Sequence, residues 1–260
     1  MNQPNKGVAL ISGASSGIGK ATAHLLAQQG YDLLLMARRE ARLEDLKNEI
    51  QRQLPHREVG IYAGDVRSKD SVNQLTRDHE SALNRLSVII NNAGLAKGVE
   101  PFHESATEDW EEMLDTNVKG LLYLTRQLLP RLLGQKSGHI VNLGSVAGRW
   151  VYPGGTVYCA TKFAIRAITE GLRQDLCGTG IRVTNIEPGM VETEFSVVRL
   201  GDQKKADAVY EGMSPLSAHD IAETIMWCLS RPSHVNIQEI VIYPTDQAAI
   251  RQVHRQPPSI

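Results

Sequence analysis

The stretch Val8-Ala-Leu-Ile11, Ser12-Gly-Ala-Ser-Ser-Gly-Ile-Gly19, Lys20-Ala-Thr-Ala-His-Leu-Leu-Ala-Gln-Gln29 holds three different kinds of sequence in a row. A short apolar run reads as a buried strand, a glycine-rich turn follows, and the last part has helical periodicity. Glycine permits the sharp turn and lets the backbone come close to a phosphate. The N–H groups and positive dipole end of the next helix then face that phosphate. The spacing is G-x-x-x-G-x-G (Gly13, Gly17, Gly19) rather than the commoner G-x-G-x-x-G, so the turn alone is moderate evidence for a bound nucleotide. Its residues Gly13, Ser15, Ser16, Gly17, Ile18 and Gly19 are the first candidate binding set.

Outward from this unit, strand and helix signals alternate along the chain. Strands are expected near 7–12, 31–37, 58–63, 86–91, 138–143, 181–187 and 239–243, and helices near 17–29, 40–53, 68–84, 107–133, 156–177 and 217–230. Such alternation implies βαβ units, and hence an α/β fold: one doubly wound parallel sheet of the Rossmann type, about seven strands, with helices on both faces. The 260 residues suit one such domain, 1–260. The ligand crevice of this fold lies at the carboxyl ends of the strands, where the strand order switches. The segment 189–215 lacks a clear strand and carries Gly201, Gly212 and Pro215, which suits a substrate lid. The tail 251–260 is polar and contains proline, and is expected to be loose or to reach a neighbouring subunit.

A formal net charge of −1 and the lack of a basic run argue against nucleic acid as a partner. Cys159, Cys177 and Cys228 are widely spaced with no C-x-x-C, as expected in a reducing compartment without structural zinc. The polar start lacks a signal-peptide core, and no apolar run approaches the roughly 18 residues that span a bilayer. A soluble cytoplasmic protein with no membrane partner is expected. No metal is expected, because no His/Cys/Asp/Glu cluster has ligand spacing.

Chemistry enters with Tyr158-Cys-Ala-Thr-Lys162, thirteen residues after Ser145. Tyrosine and lysine four apart share a helix face. An ammonium near a phenol favours the phenolate, so the tyrosine is expected to ionise below its usual value. A serine hydroxyl at the same point can hold a substrate oxygen. Most lone Tyr-x-x-x-Lys pairs are packing; this one gains weight because a nucleotide-binding turn lies upstream. At the end of the second strand, Asp32-Leu-Leu-Leu-Met-Ala37 runs into Arg38-Arg39 with no carboxylate to accept from a ribose 2′-hydroxyl. A guanidinium there grips a 2′-phosphate, so the cofactor is read as NADP(H), with Arg38 on the phosphate and Arg39 free to stack on adenine.

The glycine turn, Asn91-Asn-Ala-Gly94, Ser145 with Tyr158 and Lys162, and Pro188-Gly189 occur in an order and spacing that strongly resembles the short-chain dehydrogenase/reductase family, over almost all of the chain. Ser12 stands where that family usually has threonine, and keeps the hydroxyl. The resemblance implies that Asp65 and Val66 meet the adenine, and that Asn91, Asn92, Ala93 and Gly94 line the adenine-ribose region and steady the sheet. It implies that Pro188, Gly189, Val191 and Thr193 meet the nicotinamide end. Asn117 would hold a water linking the catalytic lysine to solvent; it lies on an expected buried stripe (Trp110, Leu114, Leu121, Leu124, Leu128) of a helix that Thr107 can cap. Hydride would pass between nicotinamide and substrate carbon, with Tyr158 as acid/base, Lys162 lowering its pKa and binding ribose, and Ser145 on the substrate oxygen. Family members often pair long helices into two-fold tetramers, so a homotetramer is expected.

Within the family, the stretches Asn92 to Pro101, Glu187 to Ser196 with Arg199, and His234-Val-Asn-Ile237 look like the NADP-dependent 3-hydroxy acid dehydrogenases, which act on L-allo-threonine, serine and related acids. A small hydroxy acid needs a cation for its carboxylate. Arg149 and Arg199 are the candidates, and Glu192 or Glu194 could receive an amino group. An NADPH-dependent carbonyl reductase of apolar ketones is the nearest alternative, and a catalytically inactive nucleotide sensor a second one.

Overall fold

In the computed structural model, residues 4–256 are described; the start, 1–3, and the end of the tail, 257–260, lie outside the described residues. The first unit is β1 (Val8–Ser12) and α1 (Gly17–Gln28), followed by β2 (Asp32–Ala37), α2 (Glu40–Gln53) and β3 (Val59–Ala63). Next come α3 (Lys69–Asp78), the short α4 (Glu80–Leu83) and β4 (Leu86–Asn91). Then follow α5 (Thr107–Leu114), a π-helical turn (Asp115–Gly120), α6 (Leu121–Gln135), β5 (Gly138–Leu143) and α7 (Thr156–Asp175). The chain continues through β6 (Ile181–Pro188), β7 (Val191–Glu192), α8 (Phe195–Leu200), α9 (Gln203–Ala208), β8 (Leu216–Ser217), α10 (Ala218–Leu229) and β9 (Glu239–Ile242).

Seven strands form one sheet in the order β3-β2-β1-β4-β5-β6-β9, every pairing parallel. The order reverses between β1 and β4, which opens a crevice at their carboxyl ends. Both faces are covered, so the central strands are apolar at nearly every position. Alternation still sorts the side chains. Ala9, Ile11, Leu33 and Leu35 pack with Leu26 of α1, Leu43 and Leu46 of α2 and Ile221 of α10. Val8, Leu10, Leu34 and Met36 face the other way, onto Leu75 of α3 and Leu124, Leu128 and Leu132 of α6. Full burial of one such leucine contributes about 1.5–3 kcal/mol.

Four expectations are corrected. The helix from 107 is not one continuous α-helix, because the π-turn at 115–120 adds a residue and rotates the buried face. Leu114 therefore points outward (43% exposed), while Leu121, Leu124 and Leu128 stay inside. Ala106, not Thr107, holds the cap position, without a side-chain bond. The segment 189–215 is more ordered than its sequence suggests: it holds β7, α8 and α9, and β7 pairs in parallel with β8. The tail is not loose as far as it is described, since Gln256 N donates to Gly212 O (2.7 Å) and Arg255 Nη2 to Val209 O (2.9 Å). Among the described residues, no helix is long and apolar enough to cross a membrane.

Candidate active site

At the carboxyl ends of β1, β2, β4, β5 and β6 lies a cavity of about 820 Å³. Of the expected site residues, all but Gly19, Asn91, Asn117, Arg149 and Glu192 line it. The glycine turn is a cradle in which two glycines are required by space. A Cβ at Gly13, where φ is +66°, would sit 2.9 Å from Ala93 Cα, and one at Gly19 would sit 2.4 Å from Gly13 O. Gly19 thus serves packing under the cradle rather than its surface. Helix α1 starts with no side-chain cap and no acidic residue in its first turn, which leaves its N–H donors for an anion. These features fit a dinucleotide pyrophosphate.

Ser12 shows why its hydroxyl matters. Its Oγ accepts from Asn92 N and Ala93 N (both 3.1 Å), and Asn92 Nδ2 donates to Ser12 O and Gly13 O (3.0 and 3.1 Å). The ends of β1 and β4 are therefore stitched together beneath the cradle. Asn91 is corrected: it does not line the cavity but turns into the sheet, where it bonds Thr125 and Asn142 (both 2.8 Å) and serves only to steady the strands.

The two arginines after β2 diverge. Arg39 lies over the glycine turn: its Nη2 donates to Ser15 Oγ (3.1 Å) and Ser16 Oγ (2.9 Å), and its Nη1 pairs with Glu194 at 2.9 Å. Arg42 grips the same Glu194, so that carboxylate is taken and is not poised for a substrate amino group. Glu192 does not line the cavity. Arg38 is 57% exposed and reaches Glu112 at 3.7 Å, which leaves its guanidinium available at the cavity mouth. Asp65 is held by Arg67 through Nε (2.9 Å) and Nη2 (2.7 Å); burial would raise its carboxyl pKa, but Arg67 more than offsets this.

At the other end of the cavity, Tyr158 and Lys162 come from α7 and Ser145 from the turn after β5. Lys162 Nζ donates to Leu143 O (2.8 Å) and lies 5.8 Å from the centre of the Tyr158 ring. The Ser145 hydroxyl, whose Oγ accepts from Ala147 N (3.1 Å), lies near enough to the phenol to draw its pKa down. In the chain itself, burial is the largest influence on both titrating groups. It raises the Tyr158 pKa, aided by nearby Tyr152, while Ser145 and Arg199 pull it back. It pushes Lys162 down to about 8 against the attraction of Glu187. Lys162 is not among the main influences on the phenol, so the expected lowering does not appear in the chain itself, where desolvation favours the protonated form.

Asn117 sits on the π-turn, fully buried, with Oδ1 accepting from Leu95 N (2.8 Å) and Nδ2 donating to Leu95 O (2.8 Å) and Thr161 Oγ1 (3.0 Å). It ties the loop after β4 to α7 next to Lys162. Arg149 is corrected: its side chain is committed to Glu187 and Glu239 behind the site. Arg199 does reach the cavity. Its Nε donates to Gly98 O (3.0 Å), its Nη1 to Tyr152 Oη (2.9 Å), and its guanidinium lies 5.8 Å from the Tyr158 ring centre. Tyr152, Phe195 and Gln247 also line the cavity and were not anticipated. Gln247 Oε1 accepts from Met190 N (2.8 Å) and so fixes the start of the 189–215 segment. Tyr152 could have been suspected from Tyr152-Pro-Gly-Gly155 just before α7. Gln247, in a featureless tail, carries no sequence signal.

A model described as short chain dehydrogenase matches residues 7–203. The NADP-dependent 3-hydroxy acid dehydrogenase of Escherichia coli (strain K12) is 41% identical over 252 residues, which is 96% of this chain and all of that protein. A sulfoacetaldehyde reductase of Chromohalobacter salexigens is 45% identical over 240 residues, 92% of this chain and 94% of that protein. The closed form of a serine dehydrogenase complexed with NADP+ superposes with a TM-score of 0.89 at 41% identity, covering 96% of this chain and 100% of that one. Agreeing with these proteins both along the sequence and in the course of the backbone, the chain belongs to the short-chain dehydrogenase family.

Proposed function

We propose that the protein is an NADP-dependent oxidoreductase that moves a hydride between NADP(H) and the hydroxyl-bearing carbon of a small 3-hydroxy acid such as L-allo-threonine or serine. The observation that carries this reading is the Arg199 guanidinium, held by Gly98 O and Tyr152 Oη within the cavity, 5.8 Å from the Tyr158 ring. A cation so close to the proton donor suits a substrate with an acid group near the reacting carbon. When bound, the nicotinamide supplies or accepts the hydride. Arg38 would grip the 2′-phosphate, the α1 N-terminus and Ser16 the pyrophosphate, and Lys162 the nicotinamide ribose. Tyr158 gives its proton to the carbonyl oxygen in reduction and recovers it in oxidation, while Ser145 orients that oxygen. The segment 189–215 serves as the lid, with Thr193 beside Gly17 at the cofactor and Phe195 tilted against Tyr158 (ring centres 5.7 Å apart).

A second reading has its own support in the relatives named sulfoacetaldehyde reductase, at 44% and 45% identity: Arg199 can hold a sulfonate as well as a carboxylate, and a neutral phenol suits reduction. A panel run in both directions decides between them: L-allo-threonine and serine with NADP+, sulfoacetaldehyde and an uncharged aliphatic ketone with NADPH. Arg199→Ala should raise KM for the anionic substrates tenfold or more, on the order of 1.4 kcal/mol or beyond, and leave the neutral ketone unaffected. Equal activity of the parent on charged and neutral substrates would instead favour an apolar-ketone reductase. The converged Ser145, Tyr158 and Lys162 speak against an inactive nucleotide sensor. The free cysteines and the composition suit a cytoplasmic enzyme.

A further inference from the structure

Behind the catalytic helix lies a set of charges that the proton transfer described above leaves unused. Glu187, next to last in β6, is 0% exposed. One carboxylate oxygen accepts from Asn185 Nδ2 (2.7 Å) and the other from Arg149 Nε. Arg149 also pairs with Glu239 of β9, and Glu239 with Arg166 of α7 at 3.4 Å. A carboxylate taken wholly out of water is neutralised unless it has such partners. Burial still pushes the Glu187 carboxyl up, and Arg149 opposes that rise. For Glu239 the balance is reversed: burial would raise it, but Arg149 and Arg166 hold it low.

The Glu187 side chain packs against a glycine of the cavity wall. A Cβ at Gly144 would meet Asn185 Oδ1 at 2.5 Å and Glu187 Cγ at 3.0 Å, so no larger residue fits between them. Gly144 N donates to Ile186 O (2.8 Å), and the residue before it, Leu143, offers the carbonyl that receives the Lys162 ammonium. On its other side, Glu187 leads directly into Pro188-Gly189 of the cavity wall.

We infer that Glu187 is a positioning residue for the proton-transfer pair: a buried carboxylate, clamped by Arg149 and Asn185, that packs against Gly144 and so holds the strand end whose Leu143 carbonyl receives the Lys162 ammonium. The inference rests on the reading of Tyr158 and Lys162 as that pair. The charged and titratable groups around the pair are Tyr152, Arg199 and Cys159 about Tyr158, and Glu187 behind Lys162. Those around Glu187 are Arg149, Arg166, Glu239 and Tyr243. Glu187 is the one acid acting on Lys162, and it works against the burial that pushes this amine toward neutrality.

The test is the pH profile of kcat for carbonyl reduction with saturating NADPH. Glu187→Gln keeps the shape and removes one negative charge. Tyr158 and Lys162 titrate as a coupled pair, and loss of a nearby negative charge lowers the pKa of either. The alkaline limb should therefore move to lower pH by roughly one unit or more. Glu187→Asp, which retains the charge, should bring the limb back toward the parent, and Arg149→Met, which removes the clamp, should shift it as Gln does. A folded Glu187→Gln with an unmoved limb would overturn the inference even if kcat fell, because a purely structural role lowers activity without moving the limb. If Gln does not fold, the Asp and Met variants decide by the same criterion. If the parent turns over nothing in the substrate panel, the functional reading fails separately, and thermal unfolding against pH still tests Glu187. The stability that Lys162→Met gains over the parent should then keep growing to lower pH in the Glu187→Gln background, and identical profiles in both backgrounds would refute the inference.

Discussion

A phenol and an amine that share a dry site each resist being charged, and this governs what Tyr158 and Lys162 can do. Burial raises the one and lowers the other to about 8, so near neutral pH the phenol holds its proton and the amine is only just charged. Tyr158→Phe removes the proton but keeps the ring against Phe195, so turnover should fall about 10²–10⁴-fold while NADPH still binds, as fluorescence titration can check. Near-normal turnover would remove Tyr158 from the proton path. Lys162 makes a stability prediction. Its unfolded value is 10.5 and its folded value about 8, so between these the unfolded chain binds more protons and stability rises with pH; below about 8 the full cost is present. The stability of Lys162→Met relative to the parent should thus be greatest at pH 7 and shrink as pH rises to 10.5, in thermal unfolding at both pH values. A difference independent of pH would mean that the lysine is not held in a desolvated site. For Arg38→Ala, only NADP+ carries the phosphate it would grip. Binding of NADP+ should weaken by about 1.5–3 kcal/mol per lost charged hydrogen bond, with NAD+ hardly changed; equal losses would assign Arg38 to the fold.

At the scale of elements, the strands were the most legible part of the sequence, because an apolar run bounded by turn residues has few other readings. β4 and β5 begin and end where the sequence suggests, as does α2. The helix beginning at 107 was less transparent. A π-turn inserts one residue without any change in composition, so the spacing of leucines around it still looks helical, and Leu114 was wrongly placed inside. That turn presents Asn117 to two partners at once. Asn117→Ala would leave the Leu95 amide and carbonyl without their partner, at about 1–3 kcal/mol for each buried group left unpaired. Denaturant unfolding should show a loss of at least this order, and an unchanged midpoint would mean that the loop after β4 is held by other contacts. The 189–215 segment failed to read as structure for a different reason: β7 and β8 are two residues each and pair across a gap in sequence, which no local pattern announces.

For the whole molecule, several of the exposed apolar side chains lie on the long helices. Leu114 and Leu122 flank the π-turn, and Phe163 sits on α7; each is about two-fifths exposed. Two-fold pairing of these helices would bury all three, and a homotetramer is the expected assembly. Light scattering at micromolar concentration checks it, and a single species of monomer mass would rule it out.

The sequence by itself determined the class of fold, the crevice and the trio proposed to react, because these depend on local signals: apolar period, glycine spacing, a tyrosine and lysine one helical turn apart. It also marked Arg199 as a candidate, by its place in the segment above the crevice. What only the tertiary structure decided is how the remaining charges are shared out. Arg149 and Arg199 were equal candidates in the sequence, yet one is consumed by Glu187 and Glu239 while the other faces the cavity. Arg39 is bound to Ser15, Ser16 and Glu194 while Arg38 is not. Ion pairing and desolvation depend on which residues meet across tens or hundreds of positions in the chain, and that proximity is a property of the folded arrangement, not of any stretch of sequence.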